Sequence, residues 1–181
     1  TWYLLYEGDI VHSVTYTDRW YNDSDKDEGG WSLEMIDMNN PCEEEDNWRA
    51  SVDPSGGTPG RQNSVIGYNP DNSPPKLLRA DASDTSNVVL TFDEVLDSND
   101  MKLAVYTIDK GITVDTFSVQ SSKSIQLILD NTLEISTVYT VTVSGLNDCV
   151  GNLISVDNTA SFAVSDESQQ DDLIINELLS N

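Results

Sequence analysis

Residues 124–144 read SIQLILDNTLEISTVYTVTVS, and the period of this stretch decides the fold. Ile125, Leu127 and Leu129 recur at every second position, and Tyr139, Val141 and Val143 do the same against Thr140, Thr142 and Ser144. Successive side chains on a strand point to opposite faces, so a period of two means one buried face and one wet face. Upstream, Val88, Leu90 and Phe92 alternate with Val89, Thr91 and Asp93 in the same way. Turn-forming clusters (DSND, ILDNTLE, CVGN) divide these runs at short intervals, and no segment of helical length carries a sustained i, i+3, i+4 apolar stripe. The pattern predicts an all-β chain built on a sandwich, with very little helix.

Composition narrows the function classes. With 181 residues there is room for one ordinary domain and part of a second. Thirty-two acidic residues against nine Lys and Arg give a net charge of -23, spread along the chain. Such a surface repels phosphate backbones and anionic lipid, which argues against nucleic acid and the bare membrane surface as partners. No apolar run approaches the roughly 20 residues that span a bilayer, so no direct membrane insertion is expected. No charged-then-apolar signal opens the sequence, and a signal for export is expected outside it.

The proline-rich stretch NPDNSPP, with Pro70, Pro74 and Pro75, restricts the backbone and removes ladder donors, as a linker does. The expected organisation is a first unit at 1–65, a linker at 66–75, a complete unit of about seven strands at 76–165, and a linker with one further strand at 166–181. Within the central unit, VVLTFDEVLD, SIQLILDNTLEISTVYTVTVSGLNDCVGN and NTASFAV resemble the bacterial Ig-like domain of surface-layer and cell-surface proteins. The resemblance implies an Ig-like β-sandwich that serves as a spacer or adhesive module. The flanks resemble a second family, the bacterial lamin-tail domain. YLLYEGDIVHSVTY, GGWSLEMID and GGTPGRQN are similar to its later half, and DLIINELLSN to its first strand. The "G.DFVEIYN" phrase that normally follows that strand is missing. Two readings stay open: the flanks belong to successive modules, or one module is cut.

A sandwich without its first strands leaves an apolar face and an unpaired edge, a template for strand addition. Leu173, Ile175 and Leu179, with Ile174 and Leu178 on the opposite face, form the strand-pairing candidate. The alternative is that this tail simply starts the next domain.

Four acids, Asp23, Asp25, Asp27 and Glu34, stand at positions 1, 3, 5 and 12 of an EF-hand-like spacing, and oxygen ligands at such intervals suit calcium. The match departs where Glu28 replaces the turn glycine and where Glu34 sits in WSLEMI, which reads as a strand. Cys42 and Cys149 are too far apart in sequence for a zinc motif. They read as a disulfide joining the two units, as two separate thiols, or as a Cys42 whose partner lies in the missing half-module. A bridge closing about a hundred residues would restrict the unfolded chain by roughly 4–5 kcal/mol. His12 is the single histidine, and neither a G-x-S-x-G elbow nor a P-loop ending accompanies it or SGGTPGRQNSV. Trp20 and Tyr21, flanked by Arg19, Asn22 and Asp23, read as an exposed aromatic pair in a polar loop, a candidate contact for a protein or sugar.

The leading expectation is therefore a non-enzymatic module of a large secreted or surface-exposed bacterial protein: a spacer, an adhesin segment or a subunit of an envelope assembly. Its partners would be other protein modules or envelope proteins, by strand addition, or a surface glycan. An accessory, carbohydrate-binding module of an extracellular hydrolase and a calcium-dependent adhesion unit are the alternatives. No cofactor is expected beyond that calcium candidate. The paired resemblances imply export across the outer membrane of a Bacteroidota-type bacterium.

Overall fold

A computed structural model describes residues 2–7 and 9–166, which form strands and turns with almost no helix. The helical content there is one α turn, α1 (Asp100–Leu103), and 3-10 turns at Asp18–Tyr21 and Glu44–Asn47. The expected tail strand, Leu173, Ile175 and Leu179, lies outside the described residues, and so does the side chain of His12.

Seven strands build the Ig-like sandwich: β5 (Leu77–Ala82), β6 (Asn87–Phe92), β7 (Val105–Ile108), β8 (Val114–Ser121), β9 (Ser124–Leu129), β10 (Tyr139–Ser144) and β11 (Thr159–Phe162). They form a four-stranded sheet in the order β5-β6-β9-β8 and a three-stranded sheet in the order β11-β10-β7, with every pairing antiparallel. The period-two residues are the ones that face inward. Val88, Leu90 and Phe92 on β6, Ile125, Leu127 and Leu129 on β9, and Tyr139, Val141 and Val143 on β10 are all buried in one apolar cluster. Each large side chain withdrawn this way contributes about 1.5–3 kcal/mol before ordering costs. Leu96, Met101, Leu133 and Leu146 close the core from the connecting loops.

The loops are held by side chains close to the strand ends. The Asp97 carboxylate accepts N–H bonds from Asn99 (2.8 Å) and Asp100 (2.9 Å) and so starts α1. The buried Tyr139 hydroxyl, at the beginning of β10, accepts the Glu134 N–H at 3.0 Å, an arrangement like the tyrosine corner of Ig-type sandwiches. Its ring stacks on Phe162 with centroids 5.8 Å apart.

The N-terminal part is built differently. Among the described residues β1 (Trp2–Tyr6) pairs only with β2 (Asp9–Val14), with an irregularity between Leu4 and Leu5, and β3 (Leu33–Met35) pairs with β4 (Trp48–Ala50). Its buried side chains are mostly polar: Glu34, Asp37, Asn40, Asn47, Ser51 and Thr58. Buried polar atoms are costly when unpaired, and a dense hydrogen-bond network pairs most of them here, the buried Asn40 Oδ1 excepted. Asn47 is the hub. Its Oδ1 accepts the Asp37 N–H (2.9 Å), while its Nδ2 donates to the carbonyls of Asp37 (2.7 Å) and Asn40.

The chain between the two parts is tied down on both sides. Gly67 donates its N–H to the Ile36 carbonyl (2.9 Å), and Asn69 donates its own to the Asp37 carboxylate (3.0 Å). Toward the sandwich, Asn152 Nδ2 donates to the Asp71 carbonyl at 3.3 Å.

Candidate functional site

Two places concentrate chemistry: an aromatic face on the N-terminal hairpin and an acidic junction beside the disulfide. On the hairpin, Trp2 (71% exposed), Leu4 (61%), Leu5 and Tyr6 (67%) all face solvent. Trp2 also joins Val14, Tyr16, Tyr21, Leu33 and Trp48 in lining an open cleft of about 370 Å³. Both outer edges of the β1–β2 ladder lack a strand partner among the described residues.

The aromatic pair expected in the polar loop is corrected by this geometry. Trp20 is 7% exposed, turned inward by the 3-10 turn at Asp18–Tyr21, and its ring lies 6.3 Å from Trp48. Tyr21 is half-buried, and its hydroxyl donates to the Trp31 carbonyl at 3.1 Å. Burial, with the neighbouring Tyr16 and Asp18 adding to it, raises the Tyr21 phenol above its ordinary range. Trp31 is half-buried, with the Lys26 ammonium 4.6 Å above its ring. The aromatic surface lies instead on the hairpin, where Trp2 and Tyr6 carried no distinguishing local signal.

The calcium reading is also corrected. Asp23, Asp25, Asp27 and Glu34 do not converge: among the described residues, the one cluster of three or more candidate ligands is Asp71, Glu94 and Asp148. The Asp23 carboxylate accepts the Asp25 N–H (3.0 Å) and pairs with Lys26 (3.4 Å), so a cation of the chain itself already occupies that loop. Glu34 is buried on β3 and spends both oxygens inside the protein. Thr58 Oγ1 (2.6 Å) and Ser32 Oγ (3.2 Å) donate to Oε1, while the Ser64 N–H (2.6 Å) and Oγ (2.7 Å) donate to Oε2. Burial alone would raise its pKa, but the bonds from Thr58 and Ser64 outweigh it and bring the carboxyl to about 2. Glu34 is an ionised structural anchor.

At the junction Cys42 and Cys149 form a disulfide with Cα atoms 6.3 Å apart. The Lys123 ammonium pairs with Glu44 across the same boundary at 2.7 Å. Cys42, Glu43, Glu44, Asp71, Lys76 and Glu94 are among the residues lining an open cavity of about 300 Å³ beside the bridge. Carboxylate oxygens of Asp71, Glu94 and Asp148 approach within 4.8 Å of one another. Burial, then the charges of Asp71, Asp148 and Asp93, push the Glu94 carboxyl up to about 8. Asp148 is held by its own turn: Oδ1 accepts N–H bonds from Val150 (2.9 Å), Gly151 (2.7 Å) and Asn152 (2.8 Å).

A helix-poor, seven-stranded antiparallel sandwich with a tyrosine at the β10 corner and a filled apolar interior defines an Ig-like β-sandwich module. The profile of the bacterial Ig-like domain matches residues 62–164, and the chain belongs to that family. The match begins at residue 62, upstream of the expected start at 76 and before the segment Gly67–Asp71 that is bonded to both parts. Solved structures of a bacterial S-layer protein, SbsC, are similar over about half of this chain. Its N-terminal part shares 25% identity, with a TM-score of 0.44, over 50% of this chain and 23% of that one. Domains 1–6 share 23% identity, with a TM-score of 0.46, over 52% of this chain and 14% of that one. The likeness thus spans less than a quarter of the length of those proteins. No curated protein sequence matches the chain.

Proposed function

We propose that this chain is a non-catalytic structural segment of a large, exported and surface-exposed bacterial protein. In this reading the Ig-like sandwich is a rigid spacer and the β1–β2 hairpin is the edge at which a neighbouring β-module docks. Residues 1–65 are then the later part of a lamin-tail-like sandwich, as their phrases imply. The observation that carries the reading is the hairpin: Trp2, Leu4, Leu5 and Tyr6 are exposed on a two-stranded ladder whose edges have no partner among the described residues. Isolated two-stranded hairpins are marginal in water, and an apolar face beside an open edge gains from one more strand. A disulfide fits an oxidising, extracytoplasmic compartment. No helix of the described residues is long and apolar enough to cross a membrane.

The occupant we assign is an apolar segment with the sequence of residues 172–181, in which Leu173, Ile175 and Leu179 stand at the odd-numbered positions that a strand would place on one face. A peptide of residues 171–181 added to a chain truncated before Asp172 should bind and raise its melting temperature. Trp2→Ala with Tyr6→Ala should weaken that binding by tenfold or more. Deletion of residues 172–181 with no change in stability or association, and no binding of the peptide, rejects the docking role. The sugar-binding alternative loses its exposed pair with the burial of Trp20. A glycan array with hits abolished by Tyr16→Ala would restore it.

A further inference from the structure

We propose that the Cys42–Cys149 disulfide is a redox latch, whose reduction releases residues 33–69 from their ordered state and from the sandwich while the sandwich stays folded. The inference holds whatever the hairpin binds.

The two parts of the chain are stabilised by different means. Every residue of the buried apolar cluster lies at Leu77 or beyond. Within residues 33–69 the buried apolar side chain is Ala50, and the rest of the buried set is polar, centred on Glu34, Asp37, Asn40 and Asn47. A dense polar network contributes little net free energy per bond, because unfolding returns each group to water, and here the buried Asn40 Oδ1 has no hydrogen-bond partner at all. Such a unit depends on a constraint from outside, and the disulfide supplies one.

The placement of the two sulfurs fits that role. Cys42 sits in the loop between Asn40 and Glu43, whose side chains hydrogen-bond each other, and Asn40 Nδ2 also donates to the Asn69 carbonyl at 2.9 Å. Cys149 sits in the turn fixed by the Asp148 carboxylate, and its own N–H donates to the Val95 carbonyl at 3.1 Å. One end of the bridge therefore grips the polar network and the other a rigid corner of the sandwich. Both cysteines are half-buried rather than buried, and Cys42 lies on the wall of the open junction cavity. A small dithiol can reach the bond without global unfolding.

The exchange balances without any other reactant. One thiolate of the dithiol attacks a sulfur of the bridge and forms a mixed disulfide; its second thiol then closes the reagent into a cyclic disulfide. Two electrons and two protons pass to Cys42 and Cys149, which become thiols.

The test uses the full 181-residue chain, oxidised or treated with dithiothreitol under native conditions, with amide exchange read by residue. Thiol labelling confirms reduction. Protection across residues 33–69 should fall by about a hundredfold or more, with amides of β6, β9 and β10 unchanged. A Cys42→Ser, Cys149→Ser double variant should show the opened pattern without reductant and no response to it. The latch is overturned if the bond resists dithiothreitol in the folded protein, if protection over 33–69 survives reduction, or if the sandwich strands lose theirs too.

Discussion

Two carboxyls of opposite character show how single residues set the pH response. Glu34 has a folded pKa lowered to about 2. Its stabilisation is fully present above the ordinary carboxyl range near 4.5 and is lost as pH falls through about 2. Thr58→Val removes one donor to that carboxylate and should cost about 1–3 kcal/mol at pH 7 in urea denaturation, with the cost shrinking as pH nears 2. Glu94 works the other way. With a folded pKa raised to about 8, its protonated form is favoured by folding, so its contribution is complete below about 4.5 and disappears as pH rises through 8. Glu94→Gln fixes the neutral form. Denaturation at pH 6 and pH 9 should show a smaller alkaline loss for the variant than for the parent, and equal losses would remove Glu94 as the cause. Neither role was legible in sequence. With acids spread along the whole chain, only the folded contacts distinguish a caged Glu34 from a crowded Glu94.

Strand elements were the most legible level, and the turns explain why. The alternation in β6, β9 and β10 identifies the residues that become the core, because a one-residue slip in register would turn every one of them to water. In the phrase NDCVGN, Asp148 ties three successive N–H groups, and Gly151 adopts φ +101°, a conformation that L side chains rarely take. Asp148→Ala should therefore cost about 1–3 kcal/mol in the sandwich, measured by thermal denaturation. Gly56 is the corresponding point in the N-terminal unit. It has φ +89°, and a Cβ there would stand 2.4 Å from the Gly30 carbonyl oxygen. Gly56→Ala should lower the stability of residues 33–69 by about 1–3 kcal/mol and leave the exchange of β9 untouched. The 3-10 turn carrying Trp20 was misread for a plain reason. Its flanks, Arg19, Asn22 and Asp23, are polar, and the contact that buries the indole comes from Trp48, far along the chain.

At the scale of the whole molecule, net charge governs what local patterns cannot. A chain of net charge -23 repels itself when compact. Raising ionic strength from about 0.01 M to about 0.15 M shortens the screening length from about 30 Å to about 8 Å, which is below the span of the molecule. The oxidised chain should therefore gain several degrees in melting temperature over that range. Screening depends on ionic strength, whereas an ion site depends on the ion. Sodium chloride and calcium chloride matched at about 0.15 M should then give nearly the same shift, because Glu34 is closed within the protein and Asp23 already holds Lys26. A calcium-specific gain that persists at micromolar free ion would contradict diffuse screening. If Asp71→Asn then abolished that gain, the cation would belong at the junction, and Glu94 would be relieved of its charge by metal rather than by a proton.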